Sequence, residues 1–104
     1  MFINSTQEGK RLVVKLEGEL DHHSAEKVRT EIDEILEREQ ITEFILEMSG
    51  VTFMDSTGIG VVLGRYKKIN ERGGVMKISN AHGHIESILR MSGVFSIMEN
   101  TNIA

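Results

Sequence analysis

Phe53-Met54-Asp55-Ser56-Thr57-Gly58-Ile59-Gly60-Val61-Val62-Leu63-Gly64 is the stretch on which the reading of this chain turns. It reads as a buried strand, an exposed apolar loop and then the Ser/Thr/Gly-rich start of a helix near Ser56. Ile59, Val62, Leu63, Tyr66 and Ile69 fall on one stripe of that helix, at the spacing of an amphipathic face. Asn70-Glu71-Arg72-Gly73-Gly74 supplies the basic residue and the Gly that end helices. A helix start presents free N–H groups and a partial positive charge. A hydroxyl there caps well, and a phosphoryl group on it is well received.

Working outward, Phe44-Ile45-Leu46 is a short dense apolar run, as in a central strand buried on both faces, and Ser49 to Met54 connects it to the helix. Upstream, Ala25, Val28, Ile32, Ile35 and Leu36 mark a helix that stops near Glu39. It is preceded by the cap-rich group Asp21-His22-His23-Ser24. Leu12, Val14 and Leu16 alternate as a half-buried strand, although Val13 breaks the pattern. Phe2 to Thr6 is a further strand, joined to it through Gln7, Glu8 and Gly9. Downstream, Val75, Met76 and Ile78 make a strand and Ile85, Ile88 and Leu89 a short helix ending near Gly93. Val94 to Met98 makes a last strand. The order β-β-α-β-α-β-α-β predicts an α/β fold. Its mixed sheet has four to five strands, an N-terminal antiparallel hairpin and amphipathic helices packed on it.

The 104 residues are the length of one domain, 1–104. Charged residues make up 27% and apolar residues 39%, an ordinary globular mix. No run approaches the ~18 apolar residues of a membrane span, and Met1 to Lys10 has no signal-peptide pattern. No cysteine is present, which removes disulfides and thiolate chemistry and fits a cytoplasmic setting. The net charge of -4, with four Phe, one Tyr and no Trp, argues against nucleic acid as a partner.

Enzymatic readings of the central stretch fail on spacing. Gly58-x-Gly60-x-x-x-Gly64 is not the dinucleotide fingerprint, and twenty residues past Gly60 stands Asn80 rather than an acid. No Gly-Lys-Ser/Thr closes a Walker loop. Ser56 lies between Asp55 and Thr57, outside a G-x-S-x-G elbow. Gly60 and Gly64, four apart, read as places where the helix lies close to the sheet. His22 with His23, and His82 with His84, lack the spacing of a helical zinc site. The sequence therefore points to no catalytic residue, metal site or cofactor. It offers an exposed hydroxyl at Ser56 beside Asp55, with an apolar tip at Met54 and Ile59. Asp21 ends the strand before the first helix, and neighbouring parallel strands share a C-terminal rim. This places Asp21 and Asp55 on the rim of Ser56, facing a basic partner.

Gly18-Glu19-Leu20-Asp21-His22-His23 and Phe53 to Gly60 together resemble the STAS domain of anti-sigma factor antagonists, most closely the branch that serves sporulation. Leu63-Gly64-Arg65-Tyr66-Lys67 and Met91-Ser92-Gly93-Val94-Phe95 support the resemblance, which covers nearly the whole chain. It implies an anti-anti-sigma factor in a partner-switching, transcription-regulating pathway. The unphosphorylated form binds an anti-sigma factor that is also a serine kinase with a GHKL-type ATP/ADP site, and so releases the sigma factor. Phosphorylation of the Ser after the Asp, here Ser56, inactivates the antagonist, and a PP2C-type phosphatase restores it. Thr57 stands where the family often has a second Ser and keeps an acceptor hydroxyl. The implied partner surface is Asp21 with Met54, Asp55, Ser56, Thr57, Gly58, Ile59 and Gly60. Relatives usually continue into another helix, whereas here only Asn100 to Ala104 follow Glu99, so contacts of that helix are not carried over.

Two rival readings accompany this one. The first is a STAS module of another stress-response pathway, with a sulfate-transporter setting disfavoured by the lack of a membrane segment. The second is a small serine hydrolase using Ser56, Asp55 and His23. A serine-reactive fluorophosphonate labels such a nucleophile and spares a phosphoacceptor.

Overall fold

A computed structural model describes residues 1–102, so the last two residues of the C-terminal tail, 103 and 104, lie outside the description. The chain runs β1 (Phe2–Glu8), β2 (Arg11–Leu20), α1 (Ala25–Arg38), β3 (Glu43–Met54), α2 (Ser56–Glu71), β4 (Val75–Ser79), α3 (Gly83–Met91), a 3₁₀ turn at Val94–Ser96 and β5 (Asn100–Thr101). The sheet order is β1-β2-β3-β4-β5. The β1-β2 hairpin is antiparallel and every later pair is parallel. The expected α/β class and mixed sheet with a leading hairpin are therefore what the chain adopts.

Strands that advance one place at a time across a sheet, with right-handed crossovers, put every connecting helix on the same face. The core agrees. Leu12, Val14 and Leu16 of β2, Phe44, Leu46 and Met48 of β3, and Met76 and Ile78 of β4 join one cluster with residues of all three helices. From the helices come Val28 and Ile32 of α1, Val62 and Ile69 of α2 and Leu89 of α3. The other face carries charge: Glu43 pairs with Arg11 at 3.4 Å and Lys77 at 3.6 Å. Ile45 is buried there too. This is why the Phe44-Ile45-Leu46 run is unbroken, since a central strand meets apolar neighbours on both sides.

Three expectations need correction. Ser49 to Met54 is not a connection: β3 continues through it, because β2 is long enough to pair with Gly50, Val51, Phe53 and Met54. Val94 to Met98 is not a strand. Gly93 enters it in the left-handed region (φ 88°), Ser96 donates backbone and side-chain hydrogen bonds to the Gly93 carbonyl, and a 3₁₀ turn results. The last strand is the polar pair Asn100–Thr101, held to Ile78 and Ser79 of β4. The inward face of α2 is also rotated from the expected stripe. Val61, Val62, Arg65 and Ile69 are buried, whereas Leu63 is exposed.

Candidate functional site

Leu20 and Met54, the last residues of β2 and β3, lie side by side in the parallel register. The chain then leaves both strands at one rim, where Asp21 leads into α1 and Asp55 into α2. Each aspartate closes its own turn. Asp55 is extended and its Oδ1 accepts from the Gly58 amide at 3.0 Å, while its carbonyl accepts from Ile59 at 3.1 Å. Asp21 Oδ1 accepts from the amides of His23 at 2.9 Å and Ser24 at 3.1 Å. The Ser24 hydroxyl in turn donates to the Glu19 carbonyl at 2.7 Å. Desolvation, the largest single influence, pushes the Asp21 carboxyl up, but the Ser24 and His23 amides, with the charges of His23 and His22, together outweigh it and hold it below the usual value.

The N-cap of α2 is thus Asp55, not Ser56. Ser56 occupies the first helical position, is exposed, and among the described residues its hydroxyl has no hydrogen-bond partner. Thr57 is exposed beside it. The hydroxyl is carried on a first turn capped by Asp55 and, among the described residues, is bonded to nothing in the fold. This division of labour makes a stability prediction. Asp55→Ala is expected to lower stability by about 1 kcal/mol and Asp55→Asn by much less, since Asn caps nearly as well. Urea unfolding of the two variants checks it, and equal losses would show that charge rather than capping matters.

Gly58 explains how α2 reaches this position. A Cβ on Gly58 would overlap the Leu20 carbonyl oxygen and approach Met54 Cγ at 2.9 Å, so the helix start lies against the end of β2 only with glycine there. Gly60 and Gly64 do the opposite of what their spacing led us to expect. Neither has a neighbour within 4 Å of its Cβ position, so they do not seat α2 on the sheet.

The apolar tip is also placed differently. Met54 is buried in the core beside Leu20, and the outward residue is Phe53, 45% exposed. Alternation along an extended β3 carries this signal, once the strand is known to run that far. Ile59 is half-buried against the core and Gly60 is exposed. The rim therefore presents Asp21, Phe53, Ser56, Thr57 and Gly60, with Met54 and Gly58 beneath as supports. Alongside Asp21, a cleft of about 470 Å³ is lined by Gly18, Glu19, Asp21, His23 and Lys27. The His22 and His23 ring centroids lie 3.9 Å apart, with the rings tilted by 39°. No hydrogen bond links either to Ser56 among the described residues, and Asp55 Oδ1 is taken by Gly58, so the parts of a hydrolytic triad are not connected. His82 lies at Ser49, with Nε2 3.2 Å from its carbonyl. Among the described residues no three His, Asp or Glu side chains gather to hold a metal ion, and no helix is long and apolar enough to cross a membrane.

The STAS domain family model matches residues 2–103. This chain belongs to the STAS family. Its STAS domain is 46% identical over 87 residues to an anti-sigma F factor antagonist of Paenibacillus polymyxa, covering 84% of this chain and 74% of that one. Two solved structures of the anti-sigma factor antagonist SpoIIAA, both 28% identical, share the fold. The unphosphorylated form has a TM-score of 0.76 over 99% of this chain and 89% of that one. The phosphorylated form, described as a Bacillus cell fate determinant, has a TM-score of 0.77 over 95% and 90%. The STAS relatives named here are regulators rather than catalysts.

Proposed function

We propose that this STAS domain is an anti-sigma factor antagonist whose activity is switched at Ser56. The unmodified chain docks its rim on an anti-sigma factor that is also a serine kinase, and the sigma factor is released. ATP-dependent phosphorylation of Ser56 ends the docking, and a PP2C-type phosphatase reverses the modification. Residues 1–104 act as a single regulatory domain in the cytoplasm, with no catalytic chemistry of their own. Sporulation is the process most consistent with the relatives.

One observation carries this reading: an exposed hydroxyl with no hydrogen-bond partner among the described residues, placed in the first turn of α2 on the rim shared with Asp21. That a SpoIIAA relative is known in both unphosphorylated and phosphorylated forms supports a switch of this kind. The test is incubation with the anti-sigma factor kinase and Mg-ATP, followed by phosphosite mass spectrometry. Ser56→Ala is expected to abolish phosphorylation while keeping docking. It leaves the Asp55 cap intact, so stability should change by no more than about 0.5 kcal/mol. Stoichiometric phosphate on that variant places the acceptor elsewhere, with Thr57 the first suspect.

Asp21 is the second anchor of the reading. Its Oδ1 bonds to two amides, which an Asn oxygen can also accept. Asp21→Asn therefore keeps the turn and removes the charge. The kinase is expected to bind this variant about tenfold more weakly, a typical loss for a charged contact at an interface. Unchanged affinity in a calorimetric titration would mean that Asp21 is only a turn residue.

A further inference from the structure

The two ends of the rim belong to different helices, with Asp21 before α1 and Ser56 in α2. Its shape therefore depends on how α1 and α2 stand against each other. Apolar packing fixes that weakly. Val28, Ile32 and Leu36 of α1 and Val61, Val62 and Ile69 of α2 present aliphatic faces, and hydrophobic attraction has no direction. α2 is also a weak helix, since Gly60 and Gly64 carry the backbone entropy of glycine and make no close contact at their Cβ positions.

One polar contact interrupts this packing. Arg65 of α2 is 4% exposed, in a stripe otherwise apolar. Its Nε stands 2.9 Å from Oδ1 of Asp33 in α1, and Lys68 Nζ lies 3.8 Å from Oδ2. The Arg65 N–H does not point at the carboxylate, and Nη1 is buried with no hydrogen-bond partner among the described residues. Burial pushes the guanidinium below its usual value, Asp33 pulls it up, and Arg29 lowers it again. For folding alone, an apolar pair of similar volume serves as well or better. Arg72 differs, because it donates to the Leu36 carbonyl at 2.9 Å and so caps the end of α1. What the Asp33–Arg65 contact adds is a pairing of one point on α2 with one point on α1.

We propose that Asp33 and Arg65 are positioning residues for the docking rim: the ion pair between buried Arg65 and half-buried Asp33 sets where α2, and Ser56 at its start, stands against α1 and Asp21. The consequence for docking rests on the proposed function above, whereas the consequence for geometry does not.

The test uses the full chain carrying Asp33→Leu with Arg65→Met, and Asp33→Asn with Arg65→Gln, which removes both charges at nearly constant volume, should the first double variant fold poorly. Amide hydrogen exchange and kinase affinity are measured on each. The expected result is a melting temperature within a few degrees of the parent and unchanged exchange at Ile45 and Leu46. The α2 amides of Gly58, Ile59 and Val62 should exchange about tenfold faster, as in a local rather than global opening. Kinase affinity should fall by about tenfold as the rim loses its preset shape. Unchanged exchange at Gly58, Ile59 and Val62 overturns the proposal, and so does uniform loss of protection across the sheet. Loosened α2 amides with undiminished affinity also overturn it. If the parent chain itself does not bind the kinase, the proposed function fails and the exchange data alone decide the role of the pair.

Discussion

Phosphorylation of Ser56 is expected to weaken kinase binding by about a thousandfold while leaving the domain's own structure almost unchanged. Two local effects oppose each other. The N-terminus of α2 favours an added anion by about 0.3–1 kcal/mol. The neighbouring Asp55 carboxylate repels it by an amount of order 1 kcal/mol in a solvated setting. The cap itself is untouched, because the Gly58 amide is satisfied by Asp55 rather than by the Ser56 hydroxyl. Docking is different. An interface shaped for a neutral hydroxyl must desolvate a group of charge near -2, at a cost of several kcal/mol unless cations meet it. About 4 kcal/mol corresponds to the thousandfold. Amide NMR shifts and titrations before and after modification check both halves. Shift changes spread over β2 to β4, or an affinity drop below about threefold, contradict them.

Gly58→Ala is expected to be the most damaging single substitution on the rim. The new methyl group meets the Leu20 carbonyl, a backbone atom that cannot swing aside, and also Met54 and the Leu20 side chain. Overpacking of this kind costs about 1–3 kcal/mol, occasionally more. For a chain of this size that corresponds to a fall in melting temperature of roughly 4–8 °C for each kcal/mol. The strain is relieved by lifting the start of α2, which carries Ser56 away from Asp21. Both thermal stability and docking should therefore fall, in contrast to Ser56→Ala, which should change neither. A Gly58→Ala variant with the parent's melting temperature and affinity would show that α2 has room to move at no cost.

Residue chemistry that is local in the chain was legible in the sequence. The buried face of α1, Ala25, Val28, Ile32 and Leu36, follows from helical spacing alone, and the start of α2 at Ser56 follows from its Ser/Thr/Gly-rich opening. Features set by partners distant in the chain were not legible. The second half of β3 contains Ser49, Gly50 and Thr52, which locally resemble a connection, and it is extended only because β2 lies beside it. The same blindness hid Phe53 and misplaced Met54. β5 is two polar residues whose strand character comes from β4, together with Asn100 bonding to both the amide and the carbonyl of Ala81. Arg65 took an inward position in α2 because Asp33 waits there on α1, and no single-helix pattern records a partner on another helix.

Antagonism of an anti-sigma factor is tested most directly by titrating a preformed complex of kinase and sigma factor with the unmodified chain and, separately, with the chain phosphorylated at Ser56. Release of free sigma factor is followed by size-exclusion chromatography. The expected result is stoichiometric release by the unmodified chain and almost none by the phosphorylated one. Equal release by both, or none by the unmodified chain, contradicts the assignment.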